Sequence, residues 1–170
     1  MCRSYLEWLF GLMLLLVSSS CSPNLTDLKQ VPVDARWQIQ IPVAMQPWET
    51  YADAGLAYAN EEAPLFLIIR KDSLVELQER YPRANLQDHY ETHLFHLQEE
   101  MEQSDTQMAD SLNVAGMMGV QGSWEADFKR DRVYCLLTLL QDEAFLYLVF
   151  CWTSMENKEE LAPLMQQMSD

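Results

Sequence analysis

Hydrophobic residues recur along this chain with two different periods. In WQIQI, residues 37–41, Trp37, Ile39 and Ile41 alternate with Gln38 and Gln40. That is the two-residue period of a strand with one buried face, and Pro42 stops it. MQPWETYADAG, 45–55, is turn-rich. GLAYAN and PLFLIIRK predict two further strands, joined through NEEA. DSLVELQERYP, 72–82, predicts a short helix begun by Asp72 or Ser73 and ended before Pro82. The clearest helical pattern is NLQDHYETHLFHLQEEMEQ, 85–103, with Asn85 as its N-cap. Its apolar stripe is Leu86, Tyr90, Leu94, Leu97 and Met101. VAGMMGVQGSWEADF predicts two strands with bends at Gly116, Gly119 and Gly122. RVYCLLTLL and AFLYLVFCW are apolar on both alternating faces, the pattern of strands covered on both sides, and QDEA turns between them. SMENKEELAPLMQQMS reads as a helix broken at Pro163 into two pieces. The sum is an α+β fold: a largely antiparallel sheet with helices on both faces.

The amino terminus follows neither period. After MCRSYLE comes an apolar run, Trp8 to Val17, too short to span a bilayer, which takes about 20 residues. Then come three serines, Cys21 and Pro23. A short apolar core followed by small residues is the anatomy of a secretory signal. Cleavage after Ser20 leaves Cys21 first. This resembles a bacterial lipoprotein signal, with Ser18 standing three residues before the cysteine where that family prefers Leu or Val. The resemblance implies acylation of Cys21 and a lipid anchor in a membrane of the bacterial envelope. Two or three acyl chains hold where one binds marginally. Ser22 is not the acidic residue that marks inner-membrane retention in some bacteria, so the resemblance points to the outer membrane. Plain secretion and a buried amino-terminal helix are the competing readings. The chain divides accordingly into a signal over 1–20, a lipidated cysteine and tether over 21–35, and one α/β/α domain over 36–170.

Charge narrows the function. The chain carries 26 acidic and 11 basic residues, a net charge of −15. Such a surface repels phosphate backbones and anionic headgroups, so nucleic acid is not a partner and membrane contact runs through the anchor. The plainer meaning of the acidity is solubility.

Few residues assemble into chemistry. His89, His93 and His96 are all of the histidines, and at spacings of four and three they share one helix side with Glu100. Neutral imidazoles in such a row can hold zinc, copper or nickel, or respond together to pH. A polar helix shoulder needs no such role. The row lacks the HExxH order of metalloproteases. Cys135 and Cys151 fall on the two strongest strands. A three-residue turn, Asp142 to Ala144, sets them face to face for a cross-strand disulfide, and a two-residue turn sets them on opposite faces. Two buried thiols are the alternative. The glycines of GMMGVQGSW form neither a phosphate loop nor a nucleophile elbow. Met117, Met118 and Trp124 read as core before surface. Trp37, Trp48, Tyr51 and Tyr58 read as a lid on the core before a recognition surface, with Trp48 the first candidate for an exposed one. No paired-carboxylate, triad or cofactor motif can be assembled.

The strand and helix order resembles the PsbP-like α/β/α sandwich over roughly 36–170. It does so through WQIQIP, LAYAN before PLFLIIRK, the hairpin RVYCLLTLLQDEAFLYLVFCW and the final helix with Pro163. That superfamily includes an extrinsic subunit of the photosynthetic oxygen-evolving complex and many small bacterial lipoproteins. The resemblance implies a non-catalytic assembly or binding subunit with an envelope protein as partner, no cofactor and no catalytic residue. An envelope metal- or small-ligand-binding protein using the histidine row is the alternative.

Overall fold

The structure is a computed structural model that describes residues 25–49, 55–99, 101–106, 109–128 and 131–169, with the backbone alone for 102–106 and Ser169. Cys21, Tyr51, Glu100 and the expected signal over 1–20 lie outside the described residues.

Among the described residues, ten strands form two antiparallel sheets. The small one pairs β1 (Leu28–Pro32) with β2 (Gln38–Pro42). The large one runs in the order β3 (Gln46–Pro47), β4 (Leu56–Asn60), β5 (Leu65–Ser73), β10 (Phe145–Ser154), β9 (Asp131–Gln141), β8 (Met117–Phe128) and β6 (Glu102–Thr106), and β7 (Asp110–Val114) also pairs with β8. Three α-helices accompany them: α1 (Leu74–Arg80), α2 (Leu86–Glu99) and α3 (Lys158–Ser169).

The central strands β9 and β10 divide the core in two. On one face Leu65, Leu67, Ile69, Leu136, Val149 and Cys151 pack beneath α3 and the small sheet. From α3 come Leu161, Met165 and Met168, at helical spacing, and from β2 come Ile39 and Ile41. On the other face Cys135, Leu137, Leu139, Leu146, Leu148 and Phe150 meet the stripe of α2, Leu86, Tyr90, Leu94 and Leu97, with Met101 just beyond its end. Two apolar sides on each central strand therefore require three layers, and each buried aliphatic side chain contributes about 1.5–3 kcal/mol.

The predicted helix starts hold. Asn85 Oδ1 accepts from the Asp88 N–H at 3.1 Å while Asp88 Oδ2 accepts from the Asn85 N–H at 2.8 Å. This reciprocal pair satisfies two donors at the start of α2. Ser73 is the N-cap of α1, which ends before Pro82.

Several expectations change. The tether does not extend to residue 35, because Leu28–Pro32 pairs residue by residue with β2 and Leu25, Val31 and Val33 join the core. The second helix stops at Glu99, and Glu102–Thr106 leaves it to pair with β8. That exchange gives the edge of β8 backbone partners a helix could not supply. Met117–Phe128 is a single long strand, β8, entered from Val114 at the end of β7 by a two-residue turn at Ala115 and Gly116, both at positive φ, 51° and 85°. Gly116 suits that turn because it has no Cβ to strain. The last helix is continuous through Pro163, which lies on its exposed side. Proline costs one backbone hydrogen bond there, and the buried stripe of α3 outweighs it.

The cysteines follow from the β9–β10 turn. Asp142 Oδ1 accepts from the N–H groups of Ala144 and Phe145, each at 2.7 Å, and the Asp142 N–H donates to the Phe145 carbonyl at 3.1 Å. The turn therefore has two residues, Glu143 and Ala144. Cys135 then pairs with Trp152 and Cys151 with Leu136. The two thiols project into opposite halves of the core, and no disulfide joins them. Burial pushes the Cys135 thiol up to about 12, which makes it unreactive.

Candidate functional site

The histidine row spreads from core to solvent. His89 is buried, with its ring edge-on to Tyr81 at 6.3 Å. His93 is half-buried, and its pKa is lowered by desolvation, then by the Arg70 charge, with Asp72 opposing. His96 is exposed and places Nδ1 3.3 Å from Glu99 Oε2. Each imidazole thus has its own surroundings, and among the described residues no three His, Cys, Asp or Glu groups converge on a metal position.

A polar cluster that sequence spacing could not reveal sits where the β1–β2 turn meets the β9–β10 turn. Asp34 Oδ1 accepts from the N–H groups of Arg36 at 2.8 Å and Trp37 at 3.0 Å. Its Oδ2 pairs with the Lys71 ammonium and accepts from Tyr147 Oη at 2.8 Å. Tyr147 also reaches Asp142 Oδ2 at 3.3 Å, and that same oxygen pairs with Arg36 at 3.0 Å. The Lys71 ammonium stands 3.7 Å from the Phe145 ring centre. The Lys71 bond, then the Arg36 N–H, hold the Asp34 carboxyl far below the usual carboxylate range. Burial, then the bond to Asp34, push the Tyr147 phenol up. Burial works against the Asp142 carboxylate, but the Ala144 and Phe145 N–H groups and Arg36 outweigh it and lower its pKa. Each carboxylate of the cluster is matched by a cation. The arrangement clasps two turns, with Asp34 and Tyr147 standing 113 residues apart in the chain. The one signal in the sequence was Tyr147, a hydroxyl inside the otherwise apolar run AFLYLVFCW.

The second feature is an open cleft of about 380 Å³ beside β3 and the β4–β5 turn, lined by Pro47, Trp48, Ala59, Asn60, Glu61 and Glu62 among others. Trp48 is half-buried and packs on Phe66 at 5.2 Å and Trp152 at 5.8 Å between ring centres. Phe66 and Trp152 stack at 5.0 Å, Trp152 continues to Phe150 at 5.1 Å, and Phe150 to Trp124 at 5.8 Å. This row of rings crosses the sheet and fixes the indole that forms one wall of the cleft. At the other side Asn60 is 6% exposed, and its Oδ1 accepts from the N–H groups of Glu62 at 3.0 Å and Ala63 at 3.1 Å. Those two bonds shape the turn that presents the exposed residues Glu61 and Glu62. Trp48, the first candidate for an exposed aromatic, is half-buried and lines a cleft while packing on its neighbours. Asn60, Glu61 and Glu62 had read only as a connection.

No protein-family profile matches the chain, and no curated protein matches its sequence. Solved structures do match its shape. The cyanobacterial PsbP (CyanoP) of Synechocystis superposes with a TM-score of 0.58 at 10% identity, over 90% of this chain and 95% of that one. LpqN of Mycobacterium tuberculosis, described as involved in cell envelope biogenesis, gives 0.52 at 8% identity, over 84% and 88%. PA94 of Pseudomonas aeruginosa, a protein of unknown function, gives 0.51 at 11% identity, over 82% and 92%. With the antiparallel sheets and three α-helices of the described residues, and with these neighbours, the chain has the PsbP-like α/β/α fold.

Proposed function

We propose that this chain is a lipid-anchored, non-catalytic subunit of the bacterial cell envelope whose domain binds another envelope component. The observation that carries the binding role is the cleft. Its wall is an indole packed at a tilt on the stacked pair Phe66 and Trp152, and its polar groups are a carboxamide and carboxylates on a tight turn. A rigid aromatic anchor with a few placed polar groups is the chemistry of recognition. The titratable cluster around Asp34 is satisfied internally, which suits a structural clasp better than proton transfer. Envelope placement is supported by the run LLLVSSSCSP at Cys21 and by LpqN, whose described role is in the envelope.

The test has two arms. Cells are fed an alkyne fatty acid, and the intact chain is compared with Cys21→Ala. Acyl label and membrane recovery are expected for the former and are lost in the latter. Mild crosslinking in the native envelope then identifies bound components, with Cys21→Ala as control. An unacylated wild-type chain released into the soluble fraction refutes the anchor.

A further inference from the structure

Resting on that binding reading, we infer that the cleft beside β3 recognises a basic side chain, lysine or arginine, of a partner polypeptide. Three observations point the same way. The wall is aromatic and fixed: Trp48 is held by Phe66 and Trp152, and an indole face attracts an ammonium or guanidinium group. The rim is acidic: Glu61 and Glu62 are both exposed, and among the described residues no basic side chain lines the cleft. The floor offers a donor: both turn N–H groups bind Asn60 Oδ1, which fixes the orientation of the amide and turns Nδ2 away from the turn.

An ammonium held between indole and carboxylates, with a carbonyl oxygen accepting from Asn60 Nδ2, is a lysyl or arginyl residue within a peptide. A free diamine supplies the charge but no acceptor. A donor already oriented by its turn gives up little freedom on binding, so the carbonyl contributes to selectivity as well as affinity. The volume of the cleft, about 380 Å³, suits one long side chain with its flanking amides. The net charge of −15 draws such a partner in from a distance.

The test uses the full-length chain in detergent and follows the indole N–H signal of Trp48, assigned through Trp48→Phe. The probes are N-acetyl-lysine N-methylamide, its norleucine counterpart and cadaverine. Saturable shifts are expected with the lysyl amide, with about tenfold weaker binding for norleucine and for cadaverine. Glu61→Gln with Glu62→Gln is expected to weaken the lysyl amide by about tenfold, and raised salt to do the same in part. Asn60→Asp keeps the turn acceptor and removes the donor, so it should erase the preference over cadaverine. Equal binding of the norleucine probe, equal binding of cadaverine, or no saturation by the lysyl amide overturns the inference. Acylation at Cys21 and membrane recovery are read in the same samples, so failure of the cleft is distinguishable from failure of the anchor.

Discussion

Gly122 and Tyr90 offer a sharp test of how the sheet and α2 fit together. A Cβ placed on Gly122 would stand 2.3 Å from Tyr90 Oη, where ordinary contact begins near 3.4 Å. The overlap is about 1 Å in a core that is already close-packed. Tyr90 is 2% exposed and its hydroxyl has no hydrogen-bond partner among the described residues. Burial pushes the phenol up to about 12. Gly122→Ala should therefore cost about 1–3 kcal/mol, the usual penalty of overpacking. Tyr90→Phe removes an unsatisfied buried hydroxyl and should leave stability unchanged or raise it by about 1 kcal/mol. In the Tyr90→Phe background the nearest atoms to the new Cβ become the ring carbon at 3.3 Å and Ala109 Cα at 3.4 Å. The alanine then fits with little adjustment. A double-mutant cycle by urea unfolding, read by tryptophan fluorescence with m-values compared, should show a favourable coupling of about 1–2 kcal/mol. If Gly122→Ala costs the same in both backgrounds to within about 0.3 kcal/mol, the hydroxyl is not what excludes the side chain, and the packing argument fails.

Four other outcomes follow from the same structure. Asp34→Asn should lower stability at pH 7 and flatten its acid dependence. The folded carboxyl is depressed, so its contribution is present above the unfolded value of about 3.9 and is lost as pH falls below it, which acid unfolding of the two proteins will show. His93 is likewise depressed. Stability should fall as pH drops below the unfolded value of about 6.5, and His93→Gln should reduce that slope in the presence of Arg70, Asp72, His89 and His96. Asp142→Ala removes both turn bonds and the Arg36 pair and should cost about 1–3 kcal/mol, measured as a drop in Tm. Cys135 and Cys151 should resist iodoacetamide until the chain is unfolded, and a reducing agent should not shift Tm; a reductant-sensitive Tm contradicts their placement on opposite faces.

Much of the fold was legible because its strongest elements obey local rules. The alternation in WQIQI, the doubly apolar β9 and β10, and the stripe on α2 each state a period and a number of covered faces. Boundaries were lost where tertiary pairing overrides local pattern. MEQSDT looks like a polar helix end, yet the free edge of β8 draws it into a strand. LKQVP looks like a tether until β2 supplies its partner. The fate of the cysteines hung on one residue of turn length, and Asp142 decided it through a side-chain bond that composition alone did not reveal. The cleft was half visible. Trp48 stood out as an aromatic in a turn, but Asn60, Glu61 and Glu62 gained meaning only when the β4–β5 turn came alongside it.

One core layer is built from the two ends of the domain: Leu25, Val31, Ile39 and Ile41 close against Leu161, Met165 and Met168. A nascent chain cannot finish this layer while residues near 165 are still in the ribosome. Until they emerge, the first hairpin lacks the helix it packs against. High sequence separation of this kind slows folding. Completion of that layer is therefore among the last events of folding, a delay set by topology rather than by any local stretch of sequence.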